Sequence, residues 1–409
     1  MTHFPTSFGR AMKVMSLATL TSAAVGLAAP ALAQEAATAE EPAALPEFPE
    51  TILGQHSPDR ANIIVLDTGG TITSSAQTRI SYLDYGGDNG PENGVQSILE
   101  DVSPEIDDIA NLTVVNLAAN GYSIGSSGSL TNEKLYVISR IIDQYLADPE
   151  VDGLVLTAGT NVLEEDAYFF DLTVQSPKPV VLTGSMHQYN AFTYDGATNL
   201  FSSIRLAADG GTTCFGTVVL LNDNFYPARE VTKTDGFHMN TFDARLYGPL
   251  GVVNQDHIRV MRAPARVQDC GTDAWARPFD LSEITVEDLP IVDLIMTHIE
   301  ASPALIEGSV AGGAEGIVLA GHGPGGISNF QTEARDAALE DGVILVSTTR
   351  TGGEGSYDNG GDVINSADLQ PLKARMLLML GLAFSDDKEQ IREWFTTIGT
   401  AEFDNYSFE

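Results

Sequence analysis

Short apolar runs rich in β-branched residues alternate with longer segments of helical composition along most of the chain. Most of these runs are continuously apolar, which is typical of strands that are covered on both faces of a parallel sheet. The pattern predicts strands at residues 62–66, 112–117, 153–156, 179–182, 217–221, 291–296, 316–319 and 343–346. Helices are predicted between them, at residues 132–146, 164–174 and 199–208. This alternation indicates right-handed βαβ units and a layered α/β fold.

Residues 247–288 interrupt the rhythm, because they contain several prolines and no strong hydrophobic period. We interpret them as a connection between two domains. The larger N-terminal domain, residues 57–246, is predicted to have three layers around a mainly parallel sheet. The smaller C-terminal α/β domain, residues 289–409, includes an apolar helical run at residues 369–384. A length of 409 residues agrees with two domains plus appendages.

The first 33 residues have the three parts of a secretory signal peptide. Two basic residues precede an apolar run over residues 14–29, and an Ala-Leu-Ala cleavage site ends at Ala33. The run is shorter than the roughly 20 residues that a membrane span needs. An Ala/Glu/Pro-rich composition then predicts a disordered leader, residues 34–56. We expect a periplasmic or secreted protein with no membrane attachment after cleavage, and an uncleaved anchor is the alternative.

The charge balance excludes some classes of partner. The chain carries 56 acidic and 21 basic residues, a formal net charge of −35. Such a surface repels phosphate backbones and anionic membranes, so nucleic acid is not an expected partner. Cys214 and Cys270 would pair only if the fold brings their Cβ atoms together, which the sequence leaves open. No Cys-x-x-Cys or His-x-x-x-His spacing supports a zinc site, and no metal or cofactor is expected.

Polar residues of the types used in catalysis follow two of the predicted strands. The first strand leads into DTGGTIT from Asp67, and the third leads into TAGTN from Thr157, directly before a helix. In open parallel sheets, ligands bind beyond the carboxyl ends of the strands. Glycines there allow a ligand to approach the backbone closely, and a threonine hydroxyl can attack a carbonyl if a base removes its proton. Ordinary turn and helix-capping chemistry is the alternative reading of both segments.

Together with other segments, these motifs resemble the bacterial type II asparaginase/glutaminase family. The segments appear in the family's order: LDTGGTI from Leu66, GLVLTAGTNVLEEDAYFFDLTV from Gly153, KPVVLTGSM from Lys178, DGATNL from Asp195, REVTKT from Arg229, YGPLG from Tyr247, GIVLAGHGPGG from Gly316 and LQPLKARMLLML from Leu369. The resemblance spans residues 62–384. It implies the two-domain α/β fold of that family and assembly into a homotetramer.

The resemblance also implies residue roles. Thr71 matches the threonine nucleophile that forms an acyl-enzyme and releases ammonia. Tyr82 matches the assisting tyrosine on the following loop, with Tyr85 nearly as good a match. Ser126 matches the residue that grips the substrate α-carboxylate, and Thr160 matches the second catalytic threonine. The remaining substrate-binding candidates are Gly70, Ser127, Gly159 and Asn161.

The chain departs from the family pattern next to Thr160. Asn161 replaces an aspartate that binds the substrate ammonium group in the family. Counting along the helix after DGATNL places Gly210 where the family has a lysine that connects to both residues. Without that lysine and aspartate, a neutral carbonyl replaces a charge-assisted contact, and acid–base assistance to Thr160 is lost. Arg205 on the same helix is considered as a substitute, although it points to another face.

Further departures lie in the second domain. Pro324 replaces an asparagine that binds the ammonium group from a neighbouring subunit in the family. Glu354 and Asp358 lie in the loop that supplies a carboxylate across the subunit interface there, or they are solvated loop acids.

The resemblance therefore predicts an amidohydrolase that releases ammonia from L-asparagine or a related small amino-acid amide. The departures leave two alternatives open. One is an amino-acid-binding relative that has lost turnover. The other is an amidohydrolase with a shifted substrate that lacks a free α-ammonium group.

Overall fold

The computed structural model of the chain describes residues 44–400 except residues 86, 256, 354, 358 and 359. The predicted signal peptide, residues 1–33, lies outside the described residues. So do Glu354 and Asp358, whose roles stay predictions.

Regular structure in the first domain follows the predicted alternation. In chain order the elements are β1 (Glu50–Leu53), β2 (Ala61–Asp67), α1 (Val95–Asp101), α2 (Ser103–Ile106), β3 (Ala110–Asn116), α3 (Asn132–Leu146), β4 (Gly153–Thr157), α4 (Leu163–Thr173), β5 (Val180–Thr183), α5 (Gly196–Asp209), β6 (Thr217–Leu221), β7 (Asn224–Pro227), β8 (Thr232–Lys233), β9 (Phe242–Asp243), β10 (Gly251–Val253) and β11 (Ile258–Val260). Each strand and helix predicted in this region is confirmed to within a few residues.

Nine of these strands form one sheet with the order β1-β3-β2-β4-β5-β6-β7-β10-β11. The central strands β3, β2, β4, β5 and β6 are parallel. The remaining strands join the two edges in antiparallel pairs. Strands β8 and β9 form a separate antiparallel hairpin, in which Lys233 pairs with Phe242. The carboxyl ends of the parallel strands therefore meet along one edge, as the predicted site requires.

The sheet is covered on both faces, which explains the continuous apolar runs. Along β2, Ile64 and Leu66 pack into a core with α3 and α4, while Ile63 and Val65 pack into a second core with α1 and α5. All four side chains are at most 5% exposed. Because alternate residues of a strand point to opposite faces, each face of this strand needs its own apolar cover. The predicted three-layer domain is confirmed.

The second domain is a smaller α/β unit. Its elements are β12 (Val292–Met296), α6 (Ala304–Ala311), β13 (Gly316–Gly321), α7 (Thr332–Glu340), β14 (Ile344–Thr349), β15 (Ile364–Asn365), α8 (Pro371–Phe384) and α9 (Lys388–Thr397). The four strands are parallel in the order β12-β13-β14-β15. Helix α8 packs on this sheet and against α4, so one apolar core is continuous between the two domains.

Two predicted boundaries need correction. Residues 34–56 were expected to be a disordered leader, but β1 lies within that range and pairs with β3 through its backbone. Residues 247–288 were expected to be a connection, but β10 and β11 lie there and extend the first sheet. Strands of three or four residues are too short to show a hydrophobic period, which is why the sequence pattern missed them.

Cys214 and Cys270 form a disulfide with a Cα–Cα distance of 5.6 Å. The bond joins the turn before β6 to the segment after β11, 56 residues later. The pairing that the sequence left open is therefore present in the fold. No helix in the described part of the chain is long and apolar enough to cross a membrane.

A half-buried carboxyl fixes the end of α4 to α3. Asp143 on α3 accepts a hydrogen bond of 2.8 Å from the backbone N–H of Gln175, just after α4 ends. Burial raises the pKa of Asp143 to about 7, and the nearby Asp280 carboxylate acts in the same direction. The backbone N–H groups of Gln175 and Ser176 act against this shift but do not cancel it.

The raised pKa predicts a pH-dependent stability. Between the unfolded value of 3.8 and about 7, the folded state binds more protons at Asp143 than the unfolded state. The contribution of Asp143 is therefore present below this window, and it is lost as the pH rises through 7. We expect Asp143→Asn to make the slope of the unfolding free energy against pH less negative within this window. The slope should change by up to about 1.4 kcal/mol per pH unit, which corresponds to the one proton that Asp143 no longer binds.

Urea unfolding followed by tryptophan fluorescence from pH 4 to 8 measures this effect. The exposed Asp341 provides the control, because its conversion to asparagine should leave the curve parallel to that of the parent protein. Parallel curves for Asp143→Asn as well would contradict the prediction.

Candidate active site

Three glycines bring the predicted site segments into backbone contact. Gly70 follows β2 with φ 105°, and a Cβ there would lie 3.0 Å from the carbonyl oxygen of Ala158. A Cβ on Gly125 would lie 2.2 Å from the Gly70 nitrogen, and one on Gly159 would lie 2.4 Å from the Gly125 oxygen. Side chains cannot occupy these positions. Three segments therefore meet at one place: the turn that begins at Thr71 (the Thr71 turn), the loop of residues 124–129 that contains Ser126 (the serine loop), and the turn of residues 157–161 before α4 (the Thr160 turn).

The Thr71 turn is held by a buried carboxyl at its base. One oxygen of Asp67 accepts from the backbone N–H of Gly69, and the other accepts from that of Val95, both at 2.9 Å. Burial raises the pKa of Asp67, while these two hydrogen bonds act in the opposite direction. Thr71 opens the short 3-10 turn Thr71–Thr73 and is half-buried. Among the described residues, no hydrogen bond engages its hydroxyl, so the turn presents a rigid backbone and an accessible oxygen.

Thr160 is in contact with a lysine. The Nζ atom of Lys233 lies 2.9 Å from Thr160 Oγ1 and 2.9 Å from Asn161 Oδ1. Lys233 belongs to the β8–β9 hairpin, and its own backbone N–H donates to the Glu164 carboxylate at 3.3 Å. Thr160 itself is 5% exposed. A cation therefore connects the second threonine to its neighbouring side chain.

The assignment of Gly210 to the lysine position is wrong. Gly210 ends α5 with φ 70°, and a Cβ there would meet no atom within 4 Å. It lines an open pocket with Asp152 and Pro179, which precede β4 and β5, so it lies at the opposite end of the sheet from Thr160. Arg205 is not a substitute either, because its guanidinium donates to the carbonyl of Asn254.

The signal that would have located the lysine was already in the sequence. The segment REVTKT from Arg229 contains Lys233 and directly follows β7 in the chain. Counting along one helix could not find a residue that comes from another element.

The Lys233 ammonium is tuned by its surroundings. Partial burial lowers the pKa of Lys233, and the carboxylates of Asp235 and Glu164 oppose this shift. A lysine with a lowered pKa exchanges a proton more readily near neutral pH. The pair formed by Thr160 and Lys233 is therefore suited to proton transfer.

The serine loop lies between the two threonine turns. Ser126 is exposed and precedes the 3-10 turn Ser127–Ser129. Lys134 on α3 fixes this loop, because its Nζ donates to the carbonyl oxygens of Ser123 and Ser129, each at 3.2 Å. Ser126 is thus presented to solvent from a fixed backbone.

The structure does not bring Tyr82 into hydrogen-bond contact with Thr71. The Tyr82 ring stacks on His187 with a centroid distance of 4.2 Å, and its hydroxyl lies 3.3 Å from Thr193 Oγ1. It is 38% exposed, and Tyr85 is more exposed still at 54%. The choice between these two tyrosines stays a prediction.

In the second domain, Pro324 lies in the glycine turn after β13. Its carbonyl accepts from the backbone N–H of Tyr357 at 2.8 Å, and the turn closes where His322 and Gly326 pair through their backbones. In the described part of the chain, no three His, Cys, Asp or Glu side chains group in a way that would hold a metal ion.

Family models match both domains of the chain. Residues 62–266 match the model described as asparaginase, N-terminal, and residues 291–395 match the glutaminase/asparaginase C-terminal domain. The chain is 37% identical over 341 residues to L-asparaginase 2 of Bacillus subtilis (strain 168), covering 82% of this chain and 86% of that protein. The chain belongs to the asparaginase family.

Other asparaginase-family members agree with this assignment. L-asparaginase 2 of Escherichia coli (strain K12) is 35% identical, with 82% of this chain and 92% of that protein covered. A crystal structure of a probable cytoplasmic L-asparaginase from Campylobacter jejuni is similar with a TM-score of 0.74 and 29% identity, over 82% of this chain and 99% of the other. The predicted family and fold are therefore confirmed, while the individual residue roles stay predictions.

The glycine contact predicts a strong size limit at Gly159. We expect Gly159→Ala to lower the unfolding free energy by about 1–3 kcal/mol, because the added methyl group meets backbone atoms that cannot move aside. Gly128→Ala in the serine loop is the matched control, since a Cβ there meets no atom within 4 Å. Urea unfolding midpoints measure both effects. Equal losses in the two variants would show that the contact is not limiting.

Proposed function

We propose that this asparaginase-family protein is an amidohydrolase that releases ammonia from L-asparagine or a related amino-acid amide. The observation that carries the proposal is the contact of Lys233 Nζ with both Thr160 and Asn161 at 2.9 Å, on the turn that packs against the Gly70 backbone just before Thr71. Relatives named L-asparaginase and glutaminase-asparaginase support the substrate class.

Thr71 is the nucleophile in this proposal. Its hydroxyl oxygen forms a bond to the amide carbon, and its proton passes to the Thr160 oxygen while the Thr160 proton passes to Lys233, which accepts it in its neutral amine form. The carbon–nitrogen bond then breaks, and the nitrogen takes up a proton and departs as ammonia. Water attacks the resulting ester, which releases the acid product and restores the Thr71 hydroxyl. The lowered pKa of Lys233 supports its part in both proton transfers.

Other parts of the proposal follow from the family. Ser126 binds the substrate α-carboxylate, and Gly70, Ser127, Gly159 and Asn161 contribute further contacts. Tyr82 reaches Thr71 when its loop leaves His187. The protein is exported to the periplasm or beyond, which the signal-peptide pattern and the disulfide support. It assembles as a homotetramer, as the family does.

A second candidate function keeps the same chemistry but changes the substrate. An ammonium group has only donors, so Lys233 must face the amide oxygen of Asn161, and the Asn161 amide nitrogen must point away from it. That nitrogen is a donor and does not pair with a substrate ammonium group. The Asn161 oxygen carries no charge and already accepts from Lys233, so it is a weak partner for a substrate ammonium group, which favours an amide substrate without a free α-ammonium group.

Ammonia release tests the proposed function directly. We expect release from L-asparagine, L-glutamine or succinamic acid, with the ranking of the three amides separating the two candidate substrates. Thr71→Ala should abolish release because the acyl-enzyme cannot form. Thr73→Ala, which removes a hydroxyl from the same turn, should retain it. The proposal fails if the parent protein releases ammonia from none of these amides.

Lys233 provides an independent prediction. We expect Lys233→Met to lower kcat for ammonia release by about 10²–10⁴-fold, because the proton-transfer partner of Thr160 is lost. Lys178→Met is the matched control, since the Lys178 ammonium donates to the Asp148 carbonyl away from the site. A kcat for Lys233→Met close to that of the control would remove Lys233 from the mechanism.

A further inference from the structure

A second lysine lies fully buried behind the first. Lys373 on α8 is 0% exposed, and its Nζ atom donates to three backbone carbonyls. The acceptors are Glu164 at 2.8 Å, Ala228 at 2.7 Å and Val231 at 2.8 Å. An ammonium group has three protons, and each of them has a partner here. Burial lowers the pKa of Lys373 to about 8, and the Glu164 and Glu165 carboxylates oppose the shift.

The three carbonyls belong to the two segments that form the proton-transfer pair. Glu164 lies in the first turn of α4, three residues after Asn161. Ala228 and Val231 lie in the turn between β7 and β8, and Val231 precedes Lys233 by two residues. Lys373 itself comes from the second domain. One side chain therefore fixes both partners of the Lys233–Thr160 contact without touching either one.

We propose that Lys373 is a positioning residue that sets the distance between Lys233 Nζ and Thr160 Oγ1, an inference that rests on the proposed amidohydrolase function. Lys233 reaches Thr160 and Asn161 at 2.9 Å from a hairpin with only two residues in each strand. Such a hairpin is not held in place by its own ladder. The Lys373 contacts to Ala228 and Val231 anchor its entry, and the contact to Glu164 anchors α4 at the same point. A displacement of about 1 Å at a reacting group costs on the order of 10²-fold in rate.

An apolar side chain could fill the position of Lys373 without the cost of burying a charge. A buried ammonium group without a carboxylate partner is costly unless every proton is bonded. The arrangement at Lys373 meets that condition with backbone oxygens alone, so it constrains the backbone rather than another side chain. This is the property that a positioning role requires.

Replacement by a residue of similar length tests the inference. We expect Lys373→Met to lower kcat for ammonia release by at least about tenfold, with a smaller change in KM, because substrate contacts are not involved. Lys373→Gln keeps two N–H donors and should show a smaller loss of kcat. If Lys373→Met does not fold, the kcat of Lys373→Gln tests the inference instead. An unchanged kcat in Lys373→Gln overturns the inference.

Arg375→Met is the matched control. Arg375 lies on the same helix and donates to the carbonyl of Val292 in its own domain at 2.9 Å. A loss of stability common to both α8 variants, with kcat reduced only for Lys373, supports positioning. An equal fall of kcat in the two variants overturns it.

A double-mutant cycle separates positioning from general loss of structure. If Lys373 acts through Lys233, the double variant with Lys233→Met should be no slower than Lys233→Met alone. Losses of kcat that multiply in the double variant would overturn the inference.

Crystal structures of Lys373→Met or Lys373→Gln give a readout that does not depend on activity. A distance of 2.9 Å retained between Lys233 Nζ and Thr160 Oγ1 overturns the inference, whereas absence of ammonia release from the parent protein overturns only the proposed function.

Discussion

The site depends on backbone contact between loops that leave neighbouring strands. Strands β2 and β4 are adjacent, and their carboxyl ends are separated only by the spacing of a hydrogen-bonded ladder. The loops that follow these two strands and the adjacent β3 have no room for side chains at Gly70, Gly159 and Gly125. This contact brings the turn that begins at Thr71 and the turn that contains Thr160 together. Asp67, Lys134 and Lys373 then hold the surrounding backbone from three different elements, and Lys233 holds the Thr160 and Asn161 side chains from a fourth.

The sequence predicted the parts of the molecule that follow from local pattern. Continuous apolar runs located the central strands because both faces of the sheet are covered, and α3 begins and ends where the pattern places it. The threonine turns were located because they directly follow such strands. Strands β8, β10 and β11 were not found, since two or three residues carry no periodic signal.

The lysine was misplaced for a related reason. Lys233 reaches Thr160 across 73 residues of sequence, through a hairpin that is held in place by a residue of the second domain. Counting along α5 to find the lysine assumes that this lysine lies on α5. The assumption is wrong, because the count ends at Gly210 whereas the lysine that contacts Thr160 lies on the β8–β9 hairpin. The contact of Lys373 with the segment before the hairpin becomes visible only when α8 packs against α4. No spacing between residues in the sequence indicates that contact.

The net charge bears on the substrate as well. A surface with a formal charge of −35 repels an anionic ligand and leaves a zwitterion of zero net charge unaffected. L-asparagine is such a zwitterion at neutral pH, whereas an amide acid without the α-ammonium group is an anion. The overall field therefore favours the zwitterion, while the uncharged Asn161 side chain favours the anion. The two influences differ in range, because salt screens the surface field beyond about 8–10 Å and leaves the short contact at Asn161 intact.

The disulfide has a consequence for how the protein recovers from unfolding. The loop closed by Cys214 and Cys270 contains β6 to β11, and hence the hairpin with Lys233. Closing a loop of 56 residues lowers the entropy of the unfolded chain by an amount worth about 4 kcal/mol. An oxidised chain that has lost its tertiary structure still keeps the two ends of this region together. The unfolded state of the oxidised protein therefore samples fewer conformations than that of the reduced protein. On refolding, the hairpin reforms within a segment whose ends are already covalently joined.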